Sequence, residues 1–315
     1  MSVTEGPTTS SSATTAPVRI RTLTSRQQLA AIWVFVKRDL SLQTRFKASY
    51  LTGLMATAQQ LVIYAMIARF GTSLPALRHI TGGYVDFVLT GLAPNILLTT
   101  ALTGPYLGLI ESFWSNRIEI LLASPLRLPG FVTGLSVGKF VDAGVKIALI
   151  LMGGWLFFGF VWPSGGNALV FLVVLAPALG AVIGLGLAAA GMVYLLDARG
   201  GQDPVQFAVL TISSLVAGVY FPIQVLPQAV QWLCYLVPQT YALDGMRRAL
   251  FGADALPPLP VVAHLPVVGH LALAPLVVDI VALVGYAVLA IPLGWLVFRN
   301  GMERARTDGR LSRWL

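Results

Sequence analysis

Two oppositely charged side chains in a long apolar stretch are the first candidates for chemistry in this sequence. Asp142 and Lys146 lie within residues 130–160 and are four positions apart, so on a helix they share one face and can pair. A charge at the centre of a bilayer costs about 2.5–3.5 kcal/mol on insertion scales, and pairing lowers this cost. The pair is either a proton or ion relay or a structural pair facing the bundle interior or a subunit interface. The second interpretation is favoured, because a relay usually needs several acidic groups along a path.

Other enzymatic motifs give no support for catalysis. The segment 134–140 superficially resembles a P-loop, but it lacks the G-x-x-x-x-G-K-[ST] spacing and lies in an apolar run. The single cysteine, Cys234, cannot form an internal disulfide, and the three histidines are scattered at His79, His264 and His270. The sequence therefore predicts a chain that is not an enzyme and that holds no cofactor or metal.

The composition indicates that lipid surrounds most of this chain. Of its 315 residues, 56% are hydrophobic and only 11% are charged, and the mean hydropathy is +0.78. A soluble domain has about 25% charged residues. The net charge of +8 does not indicate nucleic-acid binding, because the basic residues bracket apolar runs and no aromatic-basic motif accompanies them.

Six apolar runs are long enough to cross a membrane, since a helical span needs about 20 residues. They lie at about 48–70, 84–110, 130–160, 168–196, 204–221 and 274–298. Gly180 and Gly184, four residues apart in the fourth run, predict close helix packing. Asp279 is expected near the outer mouth of the last span, within reach of water.

The distribution of basic residues predicts the orientation of these spans. With a cytoplasmic N-terminus, fifteen Lys and Arg residues fall in cytoplasmic segments and four on the opposite side. Both termini are therefore predicted to be cytoplasmic. Residues 1–24 are rich in Ser and Thr and are expected to be a disordered tail, and residues 299–315 form a basic cytoplasmic tail.

Residues 25–47 have the pattern of an amphipathic helix. Leu29, Trp33 and Val36 share one helical face, while Lys37 and Arg38 belong to the polar remainder. A basic helix that carries a Trp is typical of the headgroup plane on the cytoplasmic side of a membrane. The alternative is a soluble helix packed on another domain.

A short cytoplasmic helix is predicted between the second and third spans. Asn116 can cap it with Glu119 three residues later, and Pro125 ends it at Ser124. Its exposed face would present an apolar set with a charged neighbour: Ile118, Leu121, Leu122 and Arg117. From these residues alone, a headgroup-level connector and a plug for a groove in a cytoplasmic partner are equally compatible.

Residues 223–252 are apolar but do not fit a seventh span. They contain Pro227, Pro238 and Asp244, followed by Arg247 and Arg248. A seventh crossing would also place the basic C-terminal tail outside. We therefore predict two short helices that dip into the outer leaflet and return, covered by a neighbouring span or subunit because irregular backbone in a membrane must be covered.

Two stretches of the sequence resemble the ABC-2-type transporter permeases, the membrane subunits of bacterial exporters of the daunorubicin-resistance, capsule and O-antigen kind. One is 111–125, which ends in the family's Leu-Leu-x-Ser-Pro pattern. The other runs from Gly218-Val-Tyr-Phe-Pro through Leu226-Pro227 and Pro238-Gln-Thr-Tyr241 to Arg247. The likeness covers about residues 25–300, and the Ser/Thr-rich tail and the Pro-rich 255–270 stretch depart from it.

The resemblance implies an all-α integral membrane fold with six transmembrane helices in residues 48–298. It also implies an N-terminal amphipathic interface helix over 25–47, a cytoplasmic coupling helix over 116–124 that docks on an ATPase, and an outer re-entrant hairpin over 223–252. Tyr220, Phe221, Pro222, Trp232 and Tyr241 become candidates for the exit, together with Pro227, Pro238 and Arg247.

The function that follows is ATP-driven export by a permease of the bacterial cytoplasmic membrane. The resemblance implies a dimer, with itself or a related permease, and two separately encoded ATPase subunits that hold the ATP and Mg²⁺. The expected substrate is an amphipathic drug, lipid or glycolipid. Alternatives are a polysaccharide permease and, less favoured, an ion-coupled secondary transporter that uses Asp142 and Lys146.

Overall fold

The computed structural model describes residues 24–70, 83–114, 128–160, 166–195, 207, 210–211, 213, 216–252, 256, 259 and 274–307. Within these residues the protein is helical and contains no strand. The helices are α1 Ser25–Arg45, α2 Lys47–Phe70, α3 Gly83–Trp114, α4 Leu128–Phe158, α5 Ala168–Leu195, α6 Gln228–Cys234, α7 Pro238–Phe251 and α8 Pro275–Thr307. A 3₁₀ turn at Ile223–Val225 precedes α6.

Four helices in the described part of the chain are long and apolar enough to cross a membrane. Their qualifying segments are Gly83–Glu111, Val132–Phe158, Ala168–Val193 and Pro275–Ala305. They match the predicted runs that begin at 84, 130, 168 and 274, and α8 continues nine residues past the predicted end at 298. α2, at 24 residues, coincides with the run at 48–70. Six spans remain a prediction, because eight of the residues of 204–221 lie outside the described part of the chain and no continuous helix is described there.

α3 lies at the centre of the bundle. Phe87, Leu92, Leu98 and Leu102 are almost completely buried along its length, and it packs against α4, α5 and α7. The other long apolar helices keep wide apolar surfaces exposed, for example Leu169 on α5 and Val288 on α8. These surfaces are suited to contact with lipid or with a second chain.

Glycines let α5 and α8 form the most extensive helix–helix contact among the described residues. A methyl group at Gly184 would overlap the backbone at Ala290, and one at Gly294 would overlap the backbone of Gly184. Two turns further along both helices, a methyl group at Gly301 would likewise overlap the backbone of Gly191. The close packing predicted from Gly180 and Gly184 is thus confirmed, and the partner helix is α8.

α1 forms as the sequence predicts, and a bend at Phe46 separates it from α2. It packs mainly against α4, and Val36 is buried. Leu29 and Trp33, four residues apart, are each about two-thirds exposed. The predicted apolar face is therefore divided between a protein contact and an outward surface. Lys37 is exposed and Arg38 is half-buried.

Candidate functional site

Prolines define the boundaries of the hairpin, residues 223–252. Pro222 precedes the 3₁₀ turn and Pro227 precedes α6, both with extended ψ angles. Pro238 occupies the first turn of α7, where its missing N–H has no cost. The two short helices expected here are present as α6 and α7, and their insertion into a membrane remains a prediction.

α7 is buried from Pro238 to Leu250. It packs against α5 and α8 and also touches α3. The cover that an irregular segment needs at membrane depth is therefore supplied by the chain's own helices.

Arg247 anchors the start of the hairpin to the central helix. Its guanidinium donates to the carbonyl oxygens of Gly218 at 2.7 Å, Val219 at 2.9 Å and Phe87 at 3.1 Å. It also lies over the Phe87 ring, 3.7 Å from the centroid. A methyl group at Gly91 would overlap this guanidinium, so glycine provides the space. Burial lowers the pKa of Arg247 to about 9, which leaves it charged at neutral pH.

Arg248 connects the hairpin to the last helix. Its Nε donates to Asp244 Oδ2 at 2.7 Å, lies 3.8 Å from Asp279 Oδ2, and its Nη1 donates to the carbonyl of Leu256 at 3.0 Å. All three charged side chains are buried. Burial raises the pKa of Asp244, although Arg248 opposes this effect.

The expectation that water reaches Asp279 is wrong. Only 1% of its surface is exposed, because α7 lies over it and brings Arg248 beside it. The signal for this cluster in the sequence was the spacing of Asp244 and Arg248, which is that of a helical ion pair.

The candidate exit residues separate into a surface set and a buried set. Phe221, Pro227 and Trp232 are exposed. Trp232 contacts Tyr235 edge to face at 5.8 Å, and Phe221 lies 6.1 Å from Tyr84. The buried set comprises Pro222, Pro238, Tyr241 and Arg247.

Tyr241 and Tyr286 both stabilise the turn between α6 and α7. Their hydroxyls donate to the carbonyl of Tyr235 at 3.2 Å and 2.8 Å. Tyr241 is therefore part of the packing inside this chain rather than of a surface.

Tyr220 lies just before the hairpin and contacts α2. Its ring stacks on Tyr64 with centroids 4.2 Å apart, and Gln60 Nε2 donates to its hydroxyl at 3.1 Å. Tyr220 is therefore placed beside a polar side chain of α2.

A polar groove of about 370 Å³ lies between α2, α3 and α4. Hydroxyl, amide and charged side chains dominate its lining: Thr57, Gln60, Asn95, Thr99, Thr100, Thr103, Lys139, Asp142 and Lys146. Lys146 Nζ lies 2.7 Å from Asp142 Oδ2, so the predicted ion pair is confirmed. Lys139 Nζ lies 2.6 Å from Glu111 Oε1. Sequence reasoning missed this groove because its residues come from three separate runs.

A hydrolase pattern in the sequence also escaped notice. Gly134-Leu-Ser-Val-Gly138 matches Gly-x-Ser-x-Gly, which in hydrolases places the serine on a strand-to-helix turn. Here it lies inside α4, and Ser136 Oγ donates to the carbonyl of Val132 at 3.0 Å. The geometry is that of a helical serine bonded to its own backbone.

The predicted coupling residues lie outside the described part of the chain. They are Asn116, Arg117, Ile118, Glu119, Leu121, Leu122, Ser124 and Pro125. The same is true of residues 1–23, most of the Pro-rich 255–270 stretch and residues 308–315.

Long apolar helices, a buried hairpin and a polar groove between apolar helices define an α-helical membrane protein. The chain belongs to the ABC-2 type transporter family, whose family model matches residues 30–251. Members of this family are membrane subunits of ABC transporters, and they normally work with separate ABC ATPase subunits.

Similar proteins occur in bacteria and in a eukaryote. Inner membrane transport permease YadH of Escherichia coli (strain K12) is 28% identical over 180 residues, which cover 55% of this chain and 66% of that protein. YadH of Shigella flexneri matches to the same extent. ABC transporter G family member 20 of Dictyostelium discoideum is 26% identical over 167 residues, or 52% of this chain and 22% of that protein. The chain thus matches just under two thirds of the bacterial relatives' length.

Proposed function

We propose that this chain is the permease subunit of an ATP-driven exporter that moves an amphipathic compound, such as a drug or a lipid, out of the cytoplasm or the inner leaflet. The observation that supports this most is a polar groove among long apolar helices, in a member of a transporter family. A substrate that is partly polar can use such a groove to cross a layer that otherwise excludes polar groups.

The route proposed for the substrate runs from the groove towards the hairpin. Gln60 belongs to the groove and donates to Tyr220, so the two features are adjacent. Phe221, which follows Tyr220, and Trp232 of α6 offer exposed aromatic surface. Aromatic side chains are common at membrane interfaces, where one end is apolar and the other is wet.

The drive for transport is proposed to come from ATPase subunits bound at residues 116–125. Closure of these subunits around ATP would move the coupling helix and open a path between two permease copies. Both termini would lie in the cytoplasm of a bacterial cell, as the distribution of basic residues predicts.

Co-purification tests the coupling assignment. Tagged permease is isolated from membranes of its native host, and an ABC ATPase is sought by mass spectrometry. With Leu121 and Leu122 both changed to Asp, the ATPase should be lost, because two charges would replace the apolar contact. Leu311→Asp, in the predicted C-terminal tail, is the matched control and should retain it. Retention of the ATPase by the double variant would contradict the assignment.

An ion-coupled transporter is the second candidate, because the Asp142–Lys146 pair lies in the groove. Such a transporter would move substrate in sealed vesicles that contain no nucleotide but have a proton gradient. The proposed exporter would need ATP and would be insensitive to collapse of that gradient. Transport that persists without ATP and stops in Asp142→Asn would favour the second candidate.

A further inference from the structure

The polar groove has features of a binding site for one part of an amphiphile. We propose that it binds a polar head group that bears hydroxyls or amides and has no net charge, and that the attached apolar chain occupies the neighbouring cavity between α2 and α4. This inference rests on the proposed function, whose substrate class it makes more specific.

The first argument is the charge balance of the groove. Among its described residues, each cation is paired: Lys146 with Asp142 at 2.7 Å and Lys139 with Glu111 at 2.6 Å. An anionic or cationic head group would have to break a pair or enter with its charge uncompensated. Either is costly between apolar helices, where the effective dielectric constant is low. The groove therefore disfavours a charged head.

The second argument is the supply of hydrogen-bonding groups. Thr57 and Thr103 donate to backbone carbonyls one turn earlier, at 3.1 Å and 2.9 Å, which leaves the oxygen of each hydroxyl able to accept. Asn95 adds an amide that can both donate and accept. Asp142 Oδ1 is buried and has no hydrogen-bond partner within the described residues. A hydroxylated or amide-bearing head offers donors to these acceptors.

The third argument is the adjacent apolar cavity. It has about 380 Å³ and is formed by two of the three helices that line the groove, with Ala58 and Leu61 on α2 and Leu149 and Met152 on α4. On α4 the lining residues of the groove end at Lys146 and those of the cavity begin at Leu149, less than one turn later. On α2 the two sets interleave, with Thr57 in the groove and Ala58 in the cavity, so the two spaces lie on adjoining faces of that helix. An apolar chain joined to the polar head fits this order, whereas two separate ligands would leave the adjacency unexplained.

Photolabelling can test the head-group preference without nucleotide. Purified permease in phosphatidylcholine nanodiscs is exposed to three dodecyl probes that carry the same chain diazirine and differ only in the head: glucosyl, phosphate or trimethylammonium. Labelled peptides are quantified by mass spectrometry. Labelling at Met152 is divided by labelling at Val288 on α8, an exposed apolar position that reports simple contact with the bilayer.

The glucosyl probe should give a ratio at least about tenfold higher than either charged probe, because the cost of burying a charge exceeds the 1.4 kcal/mol that corresponds to a factor of ten. Equal ratios for all three heads would show ordinary lipid contact and would overturn the inference. A higher ratio for the phosphate or the ammonium head would do the same.

Variants of the groove give a second readout. Asp142→Asn leaves the groove with an extra positive charge and should raise the phosphate ratio, and Lys146→Gln should raise the ammonium ratio. Exchange of the two residues, Asp142→Lys with Lys146→Asp, keeps the balance and should preserve the glucosyl preference. Thr99→Val with Thr100→Val should lower glucosyl labelling, whereas Thr52→Val, exposed on α2 outside the groove, should not.

Failure of this inference can be told apart from failure of the proposed function. Absence of an ABC ATPase from the co-purification of the unaltered permease would reject ATP-driven export and leave the labelling result unaffected. Conversely, a permease that retains its ATPase but shows no glucosyl preference would reject only the ligand class. Unchanged labelling in both the Asp142→Asn and the double threonine variants would also reject it.

Discussion

Arg247 and Arg248 are neighbours in the sequence but have different partners. Successive residues on a helix point about 100° apart, so one guanidinium reaches three carbonyls near α3 and the other reaches two carboxylates, of which Asp279 belongs to α8. Removing one member of such a buried set is expensive, because the partners left behind lose their compensation. The two arginines together hold α7 against two different helices.

Replacing Arg247 with Ala should lower the free energy of unfolding by about 3 kcal/mol or more, because three buried carbonyl oxygens would lose their hydrogen bonds to a charged group. The free energy of unfolding of Arg247→Lys should lie between those of the unaltered protein and of Arg247→Ala. A lysine ammonium keeps the charge, but it lacks the planar guanidinium that can donate to several carbonyls at once. Thermal unfolding in detergent measures both. Arg299→Ala, at an exposed ion pair with Glu303 on α8, is the control and should change little. Equal effects of Arg247→Ala and Arg299→Ala would contradict the anchoring role.

Asp244 gives the hairpin a pH dependence. Burial raises the pKa of its carboxyl above the ordinary 3.8, so the folded protein binds this proton more tightly than the unfolded chain does. The resulting stabilisation is present below 3.8 and is lost as the pH rises through the raised pKa. The unfolding temperature should thus contain a component that falls as the pH rises above about 4. Asp244→Asn should remove that component. If the unfolding temperature of this variant depended on pH as that of the unaltered protein does, Asp244 would not be the source of the pH dependence.

At the scale of the elements, what the sequence predicts is the long helices and the hairpin boundaries. α3, α4 and α5 follow from long, mainly apolar runs, and α6 and α7 follow from Pro227 and Pro238. What it cannot predict is the pairing of distant elements. Arg247 binds backbone carbonyls, which every residue carries, and Arg248 meets a carboxylate 31 positions away. The polar groove combines three runs whose relative rotation no periodicity specifies.

The α5–α8 contact is another pairing of distant elements that the sequence cannot predict. Gly184, Gly191, Gly294 and Gly301 are visible in the sequence, in two pairs of equal spacing, but only the fold shows that the pairs face each other. Gly294→Ala should lower the free energy of unfolding by about 1–3 kcal/mol, because its methyl group would overlap the backbone of α5.

Gly285 provides the matched control on the same helix. A methyl group there meets nothing within 4 Å, and alanine is the better helix former. Gly285→Ala should therefore leave stability unchanged or raise it. Unfolding in detergent distinguishes the two variants, and similar losses in both would show that helix propensity or lipid contact, rather than close packing, controls this site.

At the scale of the whole molecule, the exposed apolar surfaces indicate what the helices contact, and the basic residues indicate how the helices are oriented. Leu169, Val288 and Leu289 lie on helix faces that the chain itself leaves uncovered, as expected for contact with lipid or a second permease. The basic residues assign a side to each end of those helices. The apolar surfaces do not distinguish an inward from an outward N-terminus, so the orientation rests on charge alone and calls for a direct measurement.

Cysteine labelling can measure the orientation of the chain, because the native thiol is expected not to react with a maleimide. Cys234 is buried, and burial raises its pKa to about 11, so it has little reactive thiolate at neutral pH. In spheroplasts treated with an impermeant maleimide, His264→Cys should react without permeabilisation, since it lies in the predicted outer loop. Ser10→Cys should react only after permeabilisation, because the positive-inside bias retains the N-terminal tail. The unaltered chain should remain unlabelled in both conditions. If the two variants exchanged their behaviour, residues 116–125 would be on the wrong side to meet a cytoplasmic ATPase, so the same measurement tests the drive for transport as well as the topology.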